Sequence, residues 1–244
     1  AFFTEYLAAQ DRQCVQAHAV LLFDSPDKAA GVKQTLMGDQ LAHLLARDDH
    51  QELLMEASYF IPGDAFVAEL AEMKQRGGRA AVLTNSLATN DVIAAHGAYA
   101  RYRDGLLQAG VELHELKANA RALHRQVRLF KGRSRASLHT KAMVLDRREV
   151  FVGSFNIDPR SVHLNTEMGY YVASAELGQQ VAAFIEEGLA PENSYRVDKE
   201  QGKLTWAGDG HDGRPEVHHN EPDVTVWRRM LAWLLSLLPI ERML

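Results

Sequence analysis

Apolar runs of strand length alternate with stretches of helical spacing along most of the chain. Residues 79–84 (RAAVLT) are typical of a buried strand, whereas residues 32–46 carry Leu at helical intervals. The pattern predicts strands at residues 18–23, 52–60, 79–84, 111–116, 138–145, 150–152 and 166–172. It predicts helices at residues 32–46, 65–75, 91–108 and 175–187. This alternation predicts an α/β fold, an α/β/α sandwich with a mixed central sheet and helices on both faces.

Changes in polarity divide the chain into four segments. Residues 1–30 are expected to be a linker or the remnant of a preceding lobe, and residues 31–207 a single α/β lobe. Residues 208–224 are rich in Gly, Pro and charge, which predicts a polar loop. Residues 225–244 predict a C-terminal apolar helix. Its run MLAWLLSLLPI is shorter than the about 20 residues that cross a bilayer, so we expect it to dock on the core or to contact a membrane surface.

Composition narrows the possible classes of function. The 244 residues include 27 Lys and Arg against 32 Asp and Glu, a net charge of −5, whereas proteins that coat nucleic acid are more often basic. Hydrophobic residues make up 46%, which excludes a mainly disordered chain. Cys14 is the only cysteine, so an intrachain disulfide is excluded. Residues 117–135 are locally basic, and they could contact a nucleic-acid backbone, bind anionic lipid head groups or form a solvated charged face.

The side chains best suited to chemistry lie within residues 137–172. Strand alternation predicts that His139 and Lys141 share one face. A neutral imidazole is a nucleophile or proton carrier and an ammonium binds anions, so this pair suits attack on a phosphate. Ser154 and Asn156 form a second pair, whose hydroxyl and amide can donate to the same phosphate oxygens. Glu167 on the next strand could orient the imidazole by accepting its other N–H.

The same segment resembles the signature H-x-K-x4-D-x6-G-S-x-N of the phospholipase D superfamily. Every fixed position of that signature matches, at His139, Lys141, Asp146, Gly153, Ser154 and Asn156. Other segments resemble the bacterial cardiolipin synthase branch, among them FDSPDKAAG at residues 23–31 and SYFIPGDAFVAEL at residues 58–70. Nearly the whole chain is therefore similar to the C-terminal half of such an enzyme.

The resemblance implies phosphatidyl transfer in two steps through a phosphohistidine, with no metal and no cofactor. It implies catalytic roles for His139, Lys141, Asp146 and Glu167, with Asp146 supporting the motif. It also implies that Lys141, Ser154 and Asn156 bind the substrate phosphate. Which histidine of the complete enzyme is the nucleophile stays open.

Members of this family use two such motifs that face each other. In this chain, none of the other ten His residues is followed two positions later by Lys. We therefore expect half an active site, which needs the missing N-terminal lobe or a second copy of the chain. We also expect an open edge, with exposed apolar surface near the motif.

The implied substrate is a phosphatidylglycerol-like phospholipid rather than a nucleic acid. The expected location is the cytoplasmic side of a bacterial inner membrane, with peripheral contact. One alternative is a nuclease or phosphodiesterase that acts as a homodimer, and another is an inactive lobe kept for membrane or partner binding. A cluster near the C-terminus is more typical of a polar loop than of a metal site; it comprises Asp209, His211, Asp212, His218 and His219.

Overall fold

The computed structural model describes residues 15–31, 36–47, 49–120 and 137–238. Its strands are β1 (His18–Phe23), β2 (Glu52–Ala57), β3 (Arg79–Asn85), β4 (Glu112–Leu116), β5 (Lys141–Leu145), β6 (Glu149–Gly153), β7 (Met168–Ala173), β8 (Ser194–Glu200), β9 (Lys203–Asp209) and β10 (Pro215–His218). Its α-helices are α1 (Leu36–Leu45), α2 (Gly63–Gln75), α3 (Ile93–Ala100), α4 (Arg103–Gln108), α5 (Pro159–His163), α6 (Ala175–Leu189) and α7 (Val226–Ser236), and a 3₁₀ turn spans Pro26–Lys28.

All the described strands join one mixed sheet, in the order β1-β7-β6-β5-β2-β3-β4-β8-β9-β10. The central strands β2, β3 and β4 run parallel, and most of their residues are buried, as expected for strands that are covered on both faces. Strand β5 runs antiparallel to β2. Strand β6 pairs antiparallel with β5, and β7 pairs antiparallel with β6. Because β5 neighbours β2, residues just before β5 lie at the carboxyl end of β2.

Helices cover both faces of the central sheet. On one face, Met37 and Leu41 of α1 and Leu70 of α2 pack in a cluster with Leu53 and Val82. On the other face, the α6 stripe packs against alternate residues of the same strands; this second cluster includes Leu54, Leu83, Val144, Ala182 and Ile185. The α/β/α sandwich with a mixed central sheet is therefore confirmed.

The helix predicted over residues 91–108 is interrupted, and α3 and α4 replace it. The interruption allows Arg103 to enter the core, where it is 4% exposed. Its guanidinium donates to Glu115 of β4 at 2.8 Å and pairs with Glu221 at 2.6 Å. Trp206 of β9 donates to the other oxygen of Glu115 at 3.0 Å. Buried charges need such partners, and here they join α4, β4, β9 and the C-terminal segment.

Two predicted segment boundaries differ from the structure. Residues 208–224 were expected to form a loop, yet they include the end of β9 and all of β10. Pro215 begins β10 at the edge of the sheet, where the missing proline N–H costs no ladder bond. Residues 18–23 lie within the predicted linker 1–30, yet they form β1, which pairs with β7.

Helix α7 docks on the core through small residues, while its large side chains face outward. A Cβ added to Gly97 of α3 would lie 2.8 Å from the Ala232 carbonyl oxygen, so the two backbones meet closely. Arg228 fixes the beginning of α7 by donating to the carbonyls of Leu87 at 2.9 Å and Asn90 at 2.6 Å. The predicted docking of this helix is thus observed, but only along one narrow side.

Strand β2 carries a buried carboxyl, Glu56, which is 5% exposed. Its Oε2 has no hydrogen-bond partner among the described residues. Burial disfavours the charged form and raises the pKa of Glu56 to about 7. The folded protein therefore binds this proton more tightly than the unfolded chain does.

We predict that Glu56→Gln stabilises the protein relative to wild type, and that this gain in the free energy of unfolding is larger at pH 8 than at pH 5. With a pKa of 4.5 unfolded and about 7 folded, the stability linked to Glu56 is complete below pH 4.5 and is lost as the pH rises through 7. The loss approaches about 3 kcal/mol, and glutamine avoids it. Denaturant unfolding at both pH values measures the difference, with exposed Glu69→Gln as the control. Parallel pH dependence in wild type and Glu56→Gln would contradict this account.

Candidate active site

His139 and Lys141 lie at the beginning of β5. Lys141 is the first residue of the strand, and His139 precedes it outside the ladder, although the sequence predicted a strand from residue 138. His139 is exposed, and its imidazole makes no hydrogen bond to any described residue. An accessible imidazole without a partner is free to meet a substrate.

Lys141 is buried, with 9% of the residue exposed. Its ammonium donates to the Ser58 hydroxyl at 3.1 Å and to the carbonyl oxygen of His139 at 3.0 Å. Burial lowers the pKa of Lys141, while the carboxylates of Glu167 and Asp158 act in the opposite direction. The ammonium is thus held against the backbone of His139, where it can neutralise an anion.

The second predicted pair follows the end of β6. A Cβ on Gly153 would collide with the carbonyl of Met168, so only glycine allows β6 and β7 to approach this closely. Ser154 donates its hydroxyl proton to Glu167 and accepts from the Met168 amide at 3.1 Å. Its predicted role as a direct phosphate donor therefore competes with a hydrogen bond that the protein already makes.

Asn156 lies in the turn after β6, where its backbone N–H donates to the Ser161 hydroxyl at 3.3 Å. Its side-chain Oδ1 is buried and has no hydrogen-bond partner among the described residues. Buried polar atoms are normally paired, so an unpaired one near the motif is consistent with a site that a ligand completes.

Glu167 does not orient His139 in the described part of the chain. Its Oε1 accepts from Ser161 and from Asn165, both at 3.2 Å, and its Oε2 accepts from Ser154. These donors come from the turn and short helix between β6 and β7. The carboxylate is therefore hydrogen-bonded within this segment and not to the imidazole of His139. Glu167 thus holds that turn together and favours the charged form of nearby Lys141.

Asp146 lies at the opposite end of β5 from Lys141. Five residues of strand separate them by roughly 15 Å. Its Oδ1 accepts from the N–H groups of Gln51 and Glu52, both at 2.8 Å, and its Oδ2 lies 2.9 Å from Nδ1 of His50. Although burial pushes the pKa of Asp146 upward, these hydrogen bonds outweigh it and lower the pKa. Asp146 thus fastens the far end of the sheet, in keeping with the supporting role that the resemblance implies, and its part in catalysis stays a prediction.

Four residues that hold the site were not predicted from the sequence. Asp24 and Lys28 form a buried pair at 2.6 Å; Asp24 accepts from the Glu167 amide at 3.1 Å, and Lys28 donates to the Ser161 carbonyl at 2.9 Å. Opposite charges four residues apart directly after an apolar strand were a signal that could have found this pair. The other two are Ser58 and Asn85, which follow or end the parallel strands β2 and β3.

The described residues include the His cluster but only the beginning of the basic stretch, so the three interpretations of that stretch stay open. Lys117 is buried over the Tyr195 ring at 4.3 Å, and the remainder of the stretch, residues 121–135, lies outside the described residues. His211 contacts Asn119, and His218 pairs with Glu216 at 3.4 Å. Within the described ranges, groups of three or more His, Cys, Asp or Glu that could hold a metal are absent.

An apolar patch lies beside the motif on one face of β1, β7 and β6, and we call it the edge patch. Register and alternation place its members together: Leu21, Phe23, Val152, Met168 and Tyr170. Each is between 43% and 54% exposed. Exposed apolar surface therefore adjoins the turn that carries Ser154, on the face of the sheet opposite Lys141, because Val152 pairs with Ala142.

Comparison with known proteins agrees with the motif. A family model described as "Cardiolipin synthase, PLD-like domain" matches residues 45–188. The chain belongs to this phospholipase D-like family. Cardiolipin synthase C of Escherichia coli (strain K12) is 38% identical over an alignment that covers 99% of this chain and 51% of that protein. An uncharacterized protein of Helicobacter pylori (strain J99 / ATCC 700824) is 29% identical over 77% of this chain and 36% of its own length.

This phospholipase D-like chain spans about half the length, or less, of these two curated relatives. Solved structures share its fold. The phospholipase D family member Nuc from Salmonella typhimurium has a TM-score of 0.52 and 14% identity over 74% of this chain and 99% of Nuc. Phosphatidylserine synthase from Haemophilus influenzae Rd KW20 has a TM-score of 0.54 and 13% identity over 93% of this chain and 48% of the synthase.

We predict very different losses of stability for substitutions at two residues of the motif. Asp146→Ala leaves three donors without an acceptor and puts alanine at a φ of 49°, so it should lower the free energy of unfolding by about 2–4 kcal/mol. His139→Ala removes an exposed side chain and should change it by less than about 0.5 kcal/mol. Denaturant unfolding measures both variants. Equal losses would contradict the assignment of Asp146 to the frame and His139 to the open site.

Proposed function

We propose that this chain supplies one half of a phospholipase D-type active site that transfers a phosphatidyl group from a phospholipid to an alcohol, making cardiolipin from phosphatidylglycerol or a related lipid. The observation that carries the proposal is that His139 is exposed and that the buried ammonium of Lys141 donates to the backbone carbonyl of this same residue. A nucleophile or proton carrier next to a fixed cation suits an anionic phosphodiester.

The first step breaks the bond between phosphorus and the head-group alcohol. A neutral imidazole nitrogen attacks phosphorus and forms a P–N bond. The P–O bond to the alcohol breaks, and a second imidazole gives the departing oxygen a proton. His139 takes one of these two roles, while Lys141 neutralises the phosphoryl oxygens.

The second step restores the enzyme. An incoming alcohol gives its proton to the second imidazole, and its oxygen forms a new P–O bond as the P–N bond breaks. Water in place of the alcohol would give hydrolysis. Exclusion of water therefore decides between transfer and hydrolysis, and the apolar surroundings of a lipid-bound site favour transfer.

The second imidazole must come from outside the single motif of this chain. The edge patch supports a second motif-bearing lobe, or a second copy of the chain, as its cover. Five large apolar side chains in one contiguous surface are costly to leave in water, and they adjoin Ser154 through the backbone of Met168.

The test is lipid turnover by the complete protein that contains this chain. On vesicles of phosphatidylglycerol, we expect His139→Ala to abolish cardiolipin formation. Loss of one charge-stabilising donor costs about 10²–10³-fold, so Lys141→Ala should reduce the rate by that factor. Exposed His43→Ala on α1 and Lys203→Ala on β9 are matched controls that should retain the rate. Full activity of His139→Ala would overturn the proposal.

We further propose that α7 brings the site to a membrane surface as a peripheral contact. Trp227 is 76% exposed and Trp233 is 61% exposed, and Arg229 lies between them in the sequence. Apolar helices with interfacial Trp and basic residues bind the boundary of anionic bilayers. None of the described helices is long and apolar enough to cross a membrane. Because Arg228 ties α7 to the loop after β3, the helix lies on the same edge of the sheet as His139.

Serine substitution of Trp227 and Trp233 together should weaken vesicle binding at least about tenfold, because two large apolar side chains no longer enter the interface. Co-sedimentation of the complete protein with phosphatidylglycerol vesicles measures the change. Val217→Ser on β10, which is 52% exposed, is the control for loss of an exposed apolar side chain elsewhere. Unchanged binding of the double variant would assign the α7 face to a protein neighbour instead.

A further inference from the structure

The side chain of Asn85, the last residue of β3, is 2% exposed and makes three hydrogen bonds to backbone. Its Oδ1 accepts from the Leu138 N–H at 3.0 Å. Its Nδ2 donates to the Leu138 carbonyl at 3.0 Å and to the Ser58 carbonyl at 2.9 Å. Both amide protons and the oxygen are therefore used, and each bond meets a residue next to the motif or under it.

The point at which β2 ends explains why an amide side chain is needed at Asn85. The last residue of β2, Ala57, pairs with Lys141 on one side and with Thr84 on the other. Beyond Ala57 the chain turns away, so residues 138–140 approach the end of β3 without a strand between them. The Asn85 amide bridges that gap by pairing with both backbone groups of Leu138, as an opposite strand residue would.

A second set of contacts joins Asn85 to the ammonium. Ser58, whose carbonyl accepts from Asn85, uses its hydroxyl to accept from Lys141 at 3.1 Å and to donate to the Thr140 carbonyl at 3.0 Å. One amide thus supports the residue before His139 and the residue that contacts Lys141. Displacement of reacting groups by about 1 Å can cost about 10²-fold in rate, so this support bears on catalysis.

We propose that Asn85 is a positioning residue that fixes His139 and Lys141 relative to each other. This inference rests on the proposed function, which its kinetic test requires. Its structural test uses hydrogen exchange and does not require lipid turnover. Asparagine suits the position because it combines two donors and an acceptor on a short side chain. Aspartate keeps the acceptor and loses both donors, and alanine loses all three groups.

The experiment compares Asn85→Ala, Asn85→Asp and a control in the complete protein. Asn85→Ala should speed hydrogen exchange of the Leu138 amide at least about tenfold, because its acceptor is gone. It should lower kcat for lipid turnover by about 10²-fold with KM within about twofold, because the groups that act in the transition state are displaced. Asn85→Asp should keep the Leu138 amide protected and still lose kcat by about tenfold or more.

Asn193→Ala is the matched control. Asn193 is also a 2% exposed asparagine, and its Nδ2 donates to the Glu187 carbonyl at 2.7 Å before β8, on the other side of β3 from the motif. It should lose comparable stability and keep kcat within about twofold. If Asn85→Ala keeps kcat, or if its Leu138 amide stays protected, the positioning role is overturned. A wild-type protein with no lipid turnover contradicts the proposed function instead, and the exchange result still decides whether Asn85 holds Leu138.

Discussion

Burying an ammonium costs several kcal/mol unless polar groups surround it, and the arrangement around Lys141 follows from that cost. The Ser58 hydroxyl and the His139 carbonyl accept from it directly, while Glu167 and Asp158 supply negative charge nearby. Each of these groups is held in turn by others. Asn85 holds the Ser58 backbone, and Asp24 holds the backbone of Glu167. The side chains that fix the cation thus also fix the segment that presents His139.

The order of elements that carry the motif was predictable because it depends on local pattern. Buried strands such as β3 and the helix α6 follow apolar periodicity, and the six fixed positions of the motif identify the family. Spacing alone did not say which end of β5 each residue occupies. Asp146 belongs to the motif in sequence, yet it lies in a turn at a φ of 49° and caps the beginning of β2. Asn85 and Asp24 were missed because they act through backbone atoms of residues that are distant in the sequence.

Two apolar surfaces of this lobe are exposed. The edge patch adjoins the turn that carries Ser154, and the outer face of α7 lies above the loop after β3. A site open on one side and bounded by such surfaces suits a water-poor environment, where a phosphoryl intermediate meets an alcohol before it meets water.

The most direct test of the central claim is isotope exchange of the head group. The complete protein is incubated with phosphatidylglycerol vesicles and deuterated glycerol, and the lipids are analysed by mass spectrometry. A phosphatidyl–histidine intermediate that returns to an alcohol predicts deuterated phosphatidylglycerol, formed at a rate comparable to that of cardiolipin. Formation of phosphatidic acid without any deuterated phosphatidylglycerol would contradict phosphatidyl transfer at this site.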